Sequence, residues 1–121
     1  MSLLADPALA WVFAADSLAE VALSAPLPEF GGQIMQGTID RLVVTLDRVL
    51  AVDFKSNARV PSRPEDVPGG ILRQMAAYAA MLGQIYPDRR IETAILWTAT
   101  GQLMMLPPQI VGAALAQPTV P

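Results

Sequence analysis

Apolar residues recur along this chain with two different periods, and the changes of period mark out its elements. The pattern predicts strands over 19–25, 32–46 and 48–54, where side chains alternate between two faces. Over 71–86, ILRQMAAYAAMLGQIY, the spacing becomes helical. Ile71, Met75, Leu82 and Ile85 supply an apolar stripe, and Ala76, Ala77, Ala79 and Ala80 allow close packing on a sheet. Pro68 and Pro87 bracket that helix, which starts at Gly69 or Gly70. A further helix is predicted over 7–17, ahead of the strands. After the central helix, IETAILWT (91–98) alternates as a strand, GQLMML (101–106) reads as its short partner, and a last helix runs from Pro107 or Pro108 to Leu115. A Pro- and charge-rich loop spans Ser56 to Pro68, Gly31-Gly32 marks a turn, and 116–121 reads as a frayed tail. Three antiparallel strands, a crossover helix and a further strand predict an α/β domain with a mixed central sheet flanked by helices.

The stretch GTIDRLVVTLDRVLAVDFKS, residues 37–56, changes this picture, because each of its two strands carries an acid inside an apolar run. In the second strand Leu50, Val52 and Phe54 share one face, and Ala51, Asp53 and Lys55 share the other. Asp53 and Lys55 are therefore about 7 Å apart along the strand on the same side. Asp40 can join them if a turn near Asp47 closes an antiparallel hairpin. Two carboxylates and an ammonium converging at a sheet end suit a hard divalent cation and a phosphate ester. A D-x-K triplet alone is unspecific, and a strand aspartate is more often a solvated edge residue. On the helix, Gln74 and Tyr78 lie at i and i+4 and stack on one face. Taken alone, they also read as a solvated amide and a core-edge aromatic.

At 121 residues the chain suits one domain. A hydrophobic share of 53% against 16% charged residues leaves apolar surface to meet another domain. The absence of cysteine excludes disulfides, zinc-thiolate sites and iron–sulfur clusters. No uninterrupted apolar run is long enough for a membrane span and no signal peptide opens the chain, so a cytoplasmic protein with no membrane association is expected. No phosphate-cradling glycine loop is present, which excludes an ATP-driven motor in this segment. The net charge of −3 and pI near 4.7 argue against a free-standing DNA-binding module. The arginines are dispersed, with Arg59, Arg63 and Arg73 placed to line a site beyond Lys55.

Three motifs in order, G-x-x-D-R at Gly37–Arg41, D-F-K-S at Asp53–Ser56 and Q-x-x-x-Y at Gln74–Tyr78, resemble the RecB-type branch of the PD-(D/E)xK nuclease superfamily. The flanks AEVALSAPL (19–27), RLVVTLDRVLAVDFKSNARVP (41–61) and IETAILWTATGQLMMLP (91–107) are similar to the C-terminal end of AddA-type helicase-nucleases of alphaproteobacterial kind. The resemblance implies a restriction-endonuclease-like core. It implies Asp40 and Asp53 as metal ligands, completed by the backbone carbonyl of Phe54. Lys55 would be the catalytic lysine, and Gln74 and Tyr78 would support it and the DNA backbone. Magnesium, with manganese as substitute, is the implied cofactor. Ser56 stands where a threonine is more usual. Relatives carry a histidine upstream of the first aspartate, and this chain has none; Glu20 is the nearest acidic substitute.

The resemblance further implies a single nuclease domain, 1–121, from the C-terminal part of a larger helicase-nuclease. Its substrate would be single-stranded DNA ends released by unwinding during double-strand break repair by recombination. Its partners would be helicase domains of the same parent chain and an AddB-type subunit. The missing histidine, acidic pI and apolar excess leave open a catalytically silent domain that serves as an assembly surface for a helicase. A nuclease of a mobile element or restriction system would keep the same chemistry.

Overall fold

The computed structural model of the protein describes residues 17–26, 31–57 and 59–116. Its centre is a five-stranded sheet formed by β1 (Ser17–Pro26), β2 (Ile34–Val44), β3 (Arg48–Lys55), β4 (Arg90–Trp97) and β5 (Gln102–Leu106), side by side in chain order. The first three strands are antiparallel neighbours, β3 and β4 are parallel, and β4 and β5 are antiparallel. Parallel neighbours need a crossover; here it runs through a 3₁₀ turn at Pro64–Asp66 and the helix α1 (Gly69–Ile85). A second helix, α2 (Pro108–Ala116), packs against α1. This is the mixed α/β architecture that the residue pattern predicts. The helix expected over 7–17 lies outside the described residues except for Ser17, which is the first residue of β1. The tail beyond Ala116 also lies outside them.

The β2–β3 hairpin sets the register on which the site depends, since a slip of one residue would turn Asp53 to the other face. Its turn is closed from both sides. The Thr45 N–H donates to the Arg48 carbonyl at 2.9 Å, and the Arg48 N–H donates to Thr45 Oγ1 at 3.2 Å. The Thr45 hydroxyl also lies 2.9 Å from Asp47 Oδ1. The resulting register pairs Leu42 with Ala51 and Arg41 with Val52.

Two apolar clusters occupy the two faces of the sheet. Val49, Ala51, Ile95 and Trp97 join Met75, Ala76, Met81 and Leu82 of α1 in the larger one, while Val43, Leu50, Val52, Ala94 and Leu96 form the smaller. Ile39 and Leu42 both belong to the helix-side cluster although one is an odd and the other an even position. The pleat therefore changes phase between them. The same place on β1 is marked by Glu20, whose φ of 54° is left-handed. The register is unchanged on either side, Ala19 facing Arg41 and Val21 facing Ile39. Glu20 thus stands opposite Asp40 at the point where the β1–β2 ribbon changes phase.

Candidate active site

The site lies at the carboxyl end of β3, beside the parallel β3–β4 pair, where open α/β sheets commonly bind ligands. Asp40, Asp53, Lys55, Gln74 and Tyr78 come from β2, β3 and α1. Asp40 sits one step beyond the last β2–β3 pair, and its side chain takes over from the ladder: the Phe54 N–H donates to Asp40 Oδ2 at 2.8 Å. One carboxylate oxygen thus fixes Asp40 to the backbone of the residue between Asp53 and Lys55.

Asp53 is buried, with 5% of its surface exposed. Its Oδ2 pairs with the Lys55 ammonium at 2.7 Å. Burial raises the Asp53 carboxyl above its ordinary value; the Lys55 ammonium lowers it, and the neighbouring Asp40 carboxyl adds to the rise.

A run of polar contacts leads from there to the opposite wall. Lys55 Nζ donates to Gln74 Oε1 at 3.1 Å, Gln74 Nε2 donates to Tyr78 Oη at 3.1 Å, and the Tyr78 hydroxyl donates to the Thr38 carbonyl at 3.1 Å. Because the amide oxygen faces an ammonium and its NH₂ faces a phenol oxygen, the orientation of Gln74 is fixed by its partners. Burial and the nearby carboxylates raise the Tyr78 hydroxyl above its usual value, against a lowering by Gln74, so it stays a donor. The backbone of Lys55 is pinned as well, its carbonyl accepting from the Thr98 N–H at 2.9 Å and the Thr98 hydroxyl at 3.2 Å. An ammonium has three donors. Two of those on Lys55 point toward Asp53 and Gln74, and the third has no partner among the described residues.

Two features of the site escape a reading by residue type. Gly37 lies under the Tyr78 ring, where a Cβ would stand 2.6 Å from Tyr78 Cε1, so only glycine admits the ring. A glycine inside a strand pattern is the signal that could have pointed to such a close approach. The second is the Thr38 carbonyl, a backbone atom no motif search weighs. Of the three arginines expected near the site, Arg63 is taken up by Asp66 at 3.2 Å and Glu65 at 3.9 Å. Arg73 lines a groove beside Gln74, and Arg59 lies in a separate hollow with Asn57 and Pro61. Glu20 is exposed.

Asp40 and Asp53 are the side chains here that could hold a divalent ion. The Asp40 carboxyl is close enough to act on Asp53, and a cation beside the pair would offset that repulsion. Among the described residues no group of three acidic, histidine or cysteine side chains gathers at one point. Two carboxylates and a carbonyl are a sufficient protein share for magnesium, which keeps several waters.

A mixed α/β sheet with paired aspartates and a lysine at one strand end defines a class: domains built to bring a metal and a phosphate together. Residues 3–109 match the sequence pattern of the PD-(D/E)XK nuclease superfamily, and the chain belongs to that superfamily. Its members typically are metal-dependent nucleases, for which DNA is the implied substrate. Among curated proteins none matches the chain. Among the described residues no helix is long and apolar enough to cross a membrane.

Proposed function

We propose that this chain is the magnesium-dependent deoxyribonuclease domain of an AddA-type helicase-nuclease. It hydrolyses phosphodiester bonds in single strands that the helicase domains of the parent chain expose, alongside an AddB-type subunit, during recombinational repair of double-strand breaks in the cytoplasm. The observation that carries the nuclease reading is the placement of Lys55. Its ammonium is held between Asp53 and Gln74 with one donor left over, aimed by a chain of contacts that ends on the Thr38 backbone. Support for the AddA-type assignment comes from the order and flanks of the three motifs.

Asp40, Asp53 and the Phe54 carbonyl would hold the ion, with Mn²⁺ able to replace Mg²⁺. When bound, the ion supplies Lewis-acid polarisation of a phosphoryl oxygen and acidifies a water. Lys55 presents its remaining N–H to the phosphate or the attacking water, where negative charge grows as the bond is cut. Gln74, braced by Tyr78, holds the ammonium on the side away from Asp53. Buried Asp53 and half-buried Asp40 repel one another, a repulsion Lys55 offsets only in part, so a bound cation would be favoured.

Cleavage of labelled single-stranded DNA with magnesium or manganese, beside Lys55→Ala and a chelator control, tests this reading. Metal-dependent cutting that disappears in the variant is expected; cutting that survives both controls refutes it. A second reading is favoured by the absence, among the described residues, of a third acidic or histidine ligand and by exposed Leu18, Ile34, Leu46 and Ile85. In it the domain is a silent assembly surface for a helicase. Calorimetric titration with manganese separates the two, since a silent surface has no need to bind the ion.

A further inference from the structure

We propose that the groove between β2 and α1 seats the nucleotide adjoining the cut phosphate, on a single DNA strand, with Arg73 as its phosphate anchor. The proposal rests on the nuclease reading and names how that site holds its substrate. The groove encloses about 480 Å³, and its walls include Met35, Gly37, Arg73, Ala77, Tyr78 and Met81. Gln74 also lines it, so it runs up to the residue that aims Lys55. Arg73 Nε is buried there without a hydrogen-bond partner. A permanently charged guanidinium with a buried donor unmet costs free energy in the empty protein. A phosphate in the groove would face the charge of that guanidinium, which lines its wall. Arg48 and Arg63, by contrast, are already committed to Glu92, Glu65 and Asp66.

The rest of the groove suits the remainder of a nucleotide. Met35, Ala77 and Met81 form an apolar floor, and methionine adapts its shape to any flat partner, so contact there does not select a base. The volume is that of a site for one small ligand, so a base in it must be unpaired. In a chain of net charge −3, one anchoring cation next to the cutting centre places a strand without binding it tightly.

The test uses the whole chain and a fluorescein-labelled oligo(dT), with calcium replacing magnesium so that binding is read by anisotropy without cutting. Arg73→Gln is expected to weaken binding about tenfold, the loss of one charge-assisted contact. It should also flatten the slope of log affinity against log salt by about 0.7, one single-strand phosphate. Met35→Glu, a carboxylate set on the floor with Arg73 intact, is expected to weaken binding as well. Arg89→Gln removes the same charge from a guanidinium stacked 5.0 Å from the Tyr86 ring centre and should bind as wild type. In magnesium, Arg73→Gln should raise KM about tenfold and leave kcat within twofold. Equal weakening by the Arg73 and Arg89 variants, an unchanged salt slope, or duplex bound as tightly as single strand overturns the proposal. The two readings fail separately. Binding that depends on Arg73 with no cutting in either metal sinks the nuclease and keeps the groove, whereas normal cutting by Arg73→Gln with unchanged KM sinks the groove alone.

Discussion

Adding one methyl group at Gly37 tests whether the accessory residues are positioned by packing. An alanine Cβ there would stand 2.6 Å from Tyr78 Cε1 and 3.5 Å from Cζ and Oη. Carbon atoms rest about 3.5–4.0 Å apart, so the ring must retreat by about 1 Å. It has little room, because Tyr78 is 5% exposed and its helix neighbours Met75, Ala76, Ala77 and Met81 are buried too. Overpacking of this kind costs about 1–3 kcal/mol. Retreat also stretches the bond from the Tyr78 hydroxyl to the Thr38 carbonyl, worth about 1 kcal/mol. Alanine returns roughly 0.4–1 kcal/mol by restricting the unfolded chain. The net is a loss of about 2 kcal/mol, or about 8 °C in Tm for a domain of this size. Because Tyr78 holds Gln74 and Gln74 holds Lys55, cutting should fall about tenfold or more. Thermal denaturation of Gly37→Ala, Tyr78→Leu and the double variant completes the assay. The added methyl fills space vacated by the ring, so the pair should couple favourably by at least 1 kcal/mol. A Gly37→Ala protein that melts within a degree of wild type and cuts at the same rate refutes the reasoning.

Three other predictions follow from the geometry around Asp40 and Asp53. Glu20 adopts a left-handed φ of 54°, so Glu20→Gly should stabilise the fold by about 1 kcal/mol in chemical denaturation. Glu20→Gln keeps the strain and should not; an equal gain in both would point to charge instead. In chelator, Asp53→Asn should raise Tm at neutral pH. The carboxyl is raised above its ordinary value of 3.8, chiefly by burial. Its stabilising, protonated form is fully present below that value and is lost as pH climbs through the raised one. The variant's advantage should therefore fade under acid conditions, and a Tm difference that is flat with pH counts against the account. Magnesium at a hundredfold excess over its Kd should add about 2.7 kcal/mol to stability. Asp40→Asn should abolish that shift in a thermal scan, and an undiminished shift would place the ion elsewhere.

Much of this architecture is legible in the residue pattern because it is local. The alternation around Leu50, Ala51, Val52 and Asp53 already separates the two faces of β3, and the prolines at 68 and 87 bracket α1 to within a residue or two. The placement of Asp40 is harder to foresee. Ideal alternation would put Ile39 and Asp40 on opposite faces, and only the phase change at Glu20 turns both toward the helix. Its cause is a backbone torsion, which residue type does not disclose. The role of Gly37 is hidden for a related reason: it depends on a ring forty-one positions away, brought there by the crossover. Strand limits fall one or two residues inside or outside the predicted ones, at ends where hydrogen bonding rather than hydrophobicity decides.

The two aspartates and the lysine all lie on one hairpin, within sixteen consecutive residues, whereas the groups that aim the lysine arrive later in the chain. During synthesis, a ribosome that has released residues up to Ser56 has already made every charged group the chemistry needs. What it has not made is the helix that aims the ammonium and buries the acids. On the proposed nuclease reading, an immature or clipped copy is a weak cutter, and cutting is confined to molecules that have finished folding. Stalled chains ending before Gly69 should leave single-stranded DNA intact, and cutting should first appear in chains that extend through β4 and Thr98.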